Sequence, residues 1–130
     1  MTEIKNLATP KIPDIPFDEI KNSALGKEYS LSVVFVPHGE SNRINKEYRK
    51  KNKPTNILSF PYTFESGEIV LCAEMIKDEA EEHKLSYKDY LTYLYIHGLV
   101  HLAGFDHSLL MERREIELRK KYLPADFVRP

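Results

Sequence analysis

The sequence predicts a single α+β domain, with a mixed sheet of about four strands packed against about five helices. Three observations carry this expectation. The chain has 130 residues, which suits one domain and is short for two. Apolar residues make up 42 % and charged residues 30 %, a globular balance and not a disordered one. Segments of strand character mix with segments of helical period, without the strict strand–helix–strand repeat of a doubly wound parallel sheet.

Met1 to Pro16 is expected to be irregular or partly strand. Phe17, Ile20, Ala24 and Leu25 fall at helical spacing, and Gly26 can end that helix. Leu31 to Val36 is apolar and β-branched, a buried strand broken by Pro37, His38 and Gly39. Ser41 can cap a second helix, with Ile44 and Tyr48 on its apolar stripe and Pro54 as its stop. Ile57 to Phe60 reads as a strand ended by Pro61, Tyr62 to Gly67 as a loop, and Glu68 to Cys72 as a third strand.

An acidic helix is expected from about Ala73 to His83, with Glu74, Asp78, Glu79, Glu81 and Glu82 facing solvent. Ser86 and Asp89 have the spacing of a capping box. They open the longest periodic segment, Tyr87 to Ala103, and Gly104 stands where a C-terminal cap glycine would. Tyr87, Tyr90, Tyr93 and Tyr95 are expected mainly to pack around that helix. A last, solvated amphipathic helix runs from about Leu109 to Tyr122.

Composition excludes several function classes. A net charge of -1 does not advertise nucleic-acid binding, so any such function rests on a local patch. The lone Cys72 rules out an intramolecular disulfide and fits a reducing compartment; its apolar strand argues for a buried, inert thiol. The N-terminal stretch lacks the apolar core of a secretory signal, and no apolar run approaches a membrane span. The expectation is a cytoplasmic protein that does not engage a membrane.

The strongest chemical signal lies between His97 and His107. His97 and His101 are one helical turn apart and project from one face, so both imidazoles can reach one metal ion. Gly104 lets the chain turn so that His107 can return as a third ligand. Three nitrogen ligands leave a position open on zinc, as a catalytic site requires; nickel, copper or iron could compete. A purely structural zinc would need a fourth ligand from Cys72, His38, His83 or a carboxylate. The spacing is that of the metzincin peptidases, but the position of their general-base Glu, directly after the first His, is Gly98 here. Two readings of Gly98 stand side by side: close helix–strand packing, or open space beside the metal for a bulky substrate.

Taken together, His97-Gly98-Leu99-Val100-His101-Leu102-Ala103-Gly104-Phe105-Asp106-His107 resembles the HGxLHLxGYDH signature of the YbeY family of bacterial endoribonucleases. A second block, Ile44 to Lys51 followed by Pro54 to Pro61, is similar to that family's LNxxYRxKDxPTDVLSFP block, and Gly67-Glu68-Ile69 resembles its GDI element. Glu68 stands where the family usually has Asp, and Phe105 where Tyr is commoner.

The resemblance implies a zincin-like fold and one zinc ion per chain on His97, His101 and His107. It implies cleavage of single-stranded RNA, with roles in maturing the 3′ end of 16S ribosomal RNA, in other ribosomal RNA processing and in ribosome quality control. The small ribosomal subunit and its assembly factors are the implied partners. The family's functional arginine maps onto Arg49, which with His97 makes the expected catalytic pair. Arginine suits phosphate because its planar fork donates two hydrogen bonds and stays charged. Between Arg43 and Lys53 lie six basic residues, Arg43, Lys46, Arg49, Lys50, Lys51 and Lys53, and one acidic residue, Glu47, and the basic six are the expected RNA contacts. Two rival functions remain: a non-catalytic RNA-binding ribosome-assembly factor, and a zinc peptidase, disfavoured by Gly98.

Overall fold

The computed structural model describes residues 2–6, 11–104 and 109–130. They form β1 (Thr2–Asn6), α1 (Phe17–Leu25), β2 (Ser30–Val36), α2 (His38–Arg49), β3 (Ile57–Thr63), β4 (Ser66–Cys72), α3 (Ala73–Glu82), α4 (Tyr87–Leu102) and α5 (Leu109–Tyr122). The strands make one sheet in the order β1-β2-β4-β3. The pairs β1–β2 and β2–β4 are parallel, and β3–β4 is antiparallel. The expected mixed sheet and α+β class are therefore found.

Helix α4 is the centre of the core. Eleven of its sixteen residues are buried, so it is covered all round rather than on one stripe. It packs against α1, α3, α5 and β3. The inward side chains of the sheet, Leu31, Val33, Phe35, Ile69 and Leu71, meet Leu91, Tyr95 and Leu99 in the main core. Tyr95 donates its hydroxyl to the Phe17 carbonyl at 2.8 Å, and its ring meets the Phe17 ring edge-on at 5.0 Å. The tyrosines of α4 thus serve packing, with Tyr90, Tyr93 and Tyr95 all buried. On the other face of the sheet, α2 covers a smaller apolar cluster of Val36, Leu58 and Val70.

The Ser86 hydroxyl accepts the Asp89 N–H at 3.1 Å and caps α4 as its spacing suggested. Gly104 follows the helix with φ of +85°, a left-handed conformation that glycine adopts without strain. A buried lysine closes α1. Lys21 is 1 % exposed, and its Nζ donates to the carbonyls of Gly26, Lys27 and Tyr29 at 3.0–3.4 Å.

Four expectations are corrected. Helix α2 starts at His38 with Pro37 in extended conformation as its cap, not at Ser41. The buried Ser41 hydroxyl instead donates to the Thr55 carbonyl at 2.6 Å and accepts the Thr55 N–H at 3.0 Å, pinning the approach to β3. The helix ends at Arg49, where Lys50 turns left-handed (φ 58°), before Pro54 is reached. Strand β3 passes through Pro61 to Thr63, with a register shift between the two, and β4 already begins at Ser66, so the expected loop from Tyr62 to Gly67 shrinks to a tight turn. Pro61 is tolerated because β3 is an edge strand, where a missing N–H leaves no ladder bond unmade. No helix among the described residues is long and apolar enough to cross a membrane.

Candidate metal-binding and RNA-cleaving site

The C-terminal half of α4 carries His97 and His101 on the side facing a cleft of about 760 Å³. Their rings lie 4.6 Å apart and are inclined at 77°. The two Nε2 atoms approach to 3.0 Å, so both imidazoles converge on one point. His107 lies outside the described residues. Among the described residues, no group of three or more His, Cys, Asp or Glu is placed to hold a metal ion.

Behind His97 stands Glu115 of α5. Its Oε1 lies 2.5 Å from His97 Nδ1, and the residue is only 5 % exposed. Burial alone would raise the Glu115 carboxyl; the hydrogen bond and charge of His97, with Arg129 and Arg119, outweigh it and hold the group below the usual glutamate value. An ionised carboxylate only accepts, so His97 Nδ1 is the donor, and Nε2 is the ring nitrogen that faces His101. Helix α5, expected to be solvated, is buried on this face. Met111, Glu115 and Leu118 are all buried at helical spacing. An acid interrupting an apolar stripe was the signal available in the sequence.

Gly98 packs against β3. A Cβ added there would meet Ile57 Cδ1 at 2.9 Å, Ser59 Oγ at 3.1 Å and Ile69 Cδ1 at 3.2 Å. Of the two readings of Gly98, close helix–strand contact is the one found where its Cβ would stand, although its backbone also lines the cleft. The Ser59 hydroxyl reaches the Gly98 carbonyl at 3.5 Å, the far end of hydrogen-bonding range.

The opposite wall of the cleft comes from the end of α2 and from β3, including Tyr48, Arg49, Ser59 and Phe60. Of the basic run, Arg49 lines this cleft together with His97 and His101. Arg43 does not: its guanidinium is paired with Glu40 and, at 3.0 Å, with Glu47. Lys46, Lys50, Lys51 and Lys53 are exposed outside the cleft lining. Cys72 is buried at the end of β4, and burial pushes its thiol up, as expected of an inert cysteine. His38 pairs with Glu74, and His83 lies beside the Tyr90 ring; neither lines the cleft. Glu79 is not simply solvated, because it accepts from Asn56 Nδ2 at 3.0 Å and from the Tyr90 hydroxyl at 3.3 Å.

Fold and site together define a class: an α+β domain in which one turn of a buried helix offers two imidazoles, braced by a carboxylate, to a cleft that also holds an arginine. The family model described as Endoribonuclease YbeY matches residues 10–126, and the chain belongs to that family. It is 35 % identical to the Endoribonuclease YbeY of Aliarcobacter butzleri over an alignment of 136 positions, covering 100 % of this chain and 94 % of the relative. It is 37 % identical to that of Colwellia psychrerythraea over 112 residues, covering 77 % and 72 % of the two chains. The solution structure of TM1509 from Thermotoga maritima has the same fold, with a TM-score of 0.67 over 93 % of this chain and 88 % of that one, at 24 % identity.

Proposed function

We propose that this chain is a zinc-dependent endoribonuclease of the cytoplasm that cleaves single-stranded RNA. Its proposed work is maturation of the 3′ end of 16S ribosomal RNA, other ribosomal RNA processing and ribosome quality control, with the small ribosomal subunit and its assembly factors as partners. The observation that carries the reading is the convergence of His97 and His101 Nε2 at 3.0 Å beside a Glu115-braced Nδ1, in the cleft that Arg49 lines.

The donor set fits zinc: two imidazoles whose Nε2 atoms converge on one point, one of them oriented by a buried carboxylate. His97, His101 and His107 are the residues that would hold the ion. When bound, zinc supplies a Lewis acid that draws electron density from the phosphodiester. The chain's own groups do the rest. Arg49 binds the phosphate and, because it stays charged, offsets negative charge that builds on the phosphoryl oxygens. Glu115 keeps the proton on His97 Nδ1. The exposed lysines 46, 50, 51 and 53 hold the RNA backbone without reading its sequence. Among the described residues, no carboxylate lines the cleft, and Gly98 occupies the peptidase base position, so the site favours phosphodiester over peptide chemistry.

The test is cleavage of labelled single-stranded RNA by purified protein of measured zinc content. Arg49→Ala should retain zinc and lose cleavage; His101→Ala should lose both. Equal cleavage by wild type and both variants would mean a contaminating nuclease. A non-catalytic assembly factor is the second reading, favoured by the exposed lysines outside the cleft. It requires that His101→Ala leave both RNA binding and cellular function intact.

A further inference from the structure

A second hollow, of about 210 Å³, opens on the face of the sheet that α2 covers. Its apolar base is Ile44, Phe60 and Val70, part of the smaller core cluster. Two tyrosines, Tyr48 and Tyr62, border it, and each is 63 % exposed. Tyr48 meets Phe60 edge-on at 5.2 Å, which holds its ring at a fixed inclination. Glu68 supplies the acidic group, and its Oε2 accepts the Tyr62 hydroxyl at 3.3 Å. Arg43 lies on the rim, held by its ion pairs to Glu40 and Glu47.

Tyr48 and Phe60 line both this hollow and the histidine cleft, so the two adjoin. The two exposed tyrosine rings beside an apolar base and a charged rim offer flat faces on which a ligand can stack. Such rings suit an unpaired base, which offers a flat π-face to stack on.

We propose that this hollow receives one nucleobase of the RNA strand whose backbone passes through the histidine cleft, and that Glu68 makes it prefer guanine. The proposal rests on the single-stranded RNA reading above. A carboxylate only accepts hydrogen bonds. Guanine alone presents two adjacent donors, N1–H and the N2 amino group, to match its two oxygens. Cytosine and adenine each set one amino group beside an acceptor nitrogen, and uracil sets one N–H between two carbonyls. The Tyr62 hydroxyl, by donating to Glu68, fixes the carboxylate and still leaves it lone pairs to accept from the base.

The experiment reads binding without cleavage. Metal-free protein in EDTA is titrated, by fluorescence anisotropy, with short labelled oligouridines carrying one guanosine, adenosine or cytidine, or none. The guanosine strand should bind tightest. Tyr62→Ala should weaken it roughly fivefold or more, whereas Tyr62→Phe, which keeps the ring, should retain most of the affinity. Glu68→Gln should erase the guanosine preference and leave the all-uridine strand unchanged. Circular dichroism confirms that each variant is folded.

Equal binding of all strands by wild type, or a preference that survives Glu68→Gln, overturns the proposal. So does a concentration-dependent dimer that Tyr62→Ala dissolves, because the hollow would then receive a second copy of the chain. Zinc-loaded wild type that binds guanosine strands selectively but cleaves none would instead defeat the nuclease reading and leave the base site standing.

Discussion

The carboxylate of Glu115 accepts the Nδ1 proton of His97 at 2.5 Å, joining α5 to the turn of α4 that faces the cleft. The two residues are far apart in sequence, and the contact is shielded because Glu115 is 5 % exposed. A bond of this kind orients a ligating imidazole and raises its basicity. Glu115→Gln should therefore weaken zinc binding by about 10- to 100-fold, read by chelator competition, with Arg49→Ala unchanged. Unaltered zinc affinity in Glu115→Gln would reduce the pair to a packing contact between two helices.

Gly98 separates α4 from β3 by less than a side chain. In Gly98→Ala, the gain in helix propensity of about 1 kcal/mol is opposed by crowding against Ile57, Ser59 and Ile69, so the net change should be small. Gly98→Val adds branches that those three side chains cannot all avoid, and it should destabilise by about 1–3 kcal/mol. Urea unfolding distinguishes the two. A valine variant as stable as wild type would show that β3 can move away from the helix.

Lys21 stabilises the turn after α1 by closing three carbonyls with one ammonium group. Lys21→Ala leaves the buried Tyr29 carbonyl without its donor and the part-buried carbonyls of Gly26 and Lys27 without theirs. A loss of about 2–4 kcal/mol is expected, seen as a lower urea midpoint with an unchanged slope.

Two buried tyrosines make the fold sensitive to alkali. Burial, with the Glu79 charge and hydrogen bond behind it, pushes the Tyr90 phenol up to about 12. Burial, with the Asp18 charge behind it, pushes Tyr95 higher still. In the unfolded chain both titrate near 10 (about the value of a free phenol). The folded state thus holds protons that the unfolded state releases. This contribution is fully present below about pH 10 and is lost as pH rises from there through about 12. Unfolding free energy measured across that window should fall steeply, and less steeply in Tyr90→Phe. An unchanged slope in that variant would assign the effect to other groups.

Much of the architecture was legible because it is local. The period of α4, its Ser86 cap and the apolar run of β2 all depend on neighbours in sequence. The spacing of His97 and His101 likewise fixed one shared helix face. What was misread depends on partners far along the chain. Ser41 resembles a cap, yet its hydroxyl is taken by Thr55. Pro61 resembles a strand end until β3 is known to be an edge. Glu79 and Glu115 resemble surface acids until Asn56, Tyr90 and His97 are placed beside them. Arg49 stood out from its basic neighbours through the motif that contains it, since local charge alone does not say which cation lines a cleft.

The edge position of β3 bears on how the molecule behaves when concentrated. An open strand invites a neighbouring chain to add to it through free backbone groups. Here Pro61 removes one N–H and the register shift before Thr63 bends the strand out of line. The wall that shapes the cleft is thus also a poor template for sheet-to-sheet stacking, so the chain can leave a strand edge open beside its cleft without inviting its own copies to polymerise there.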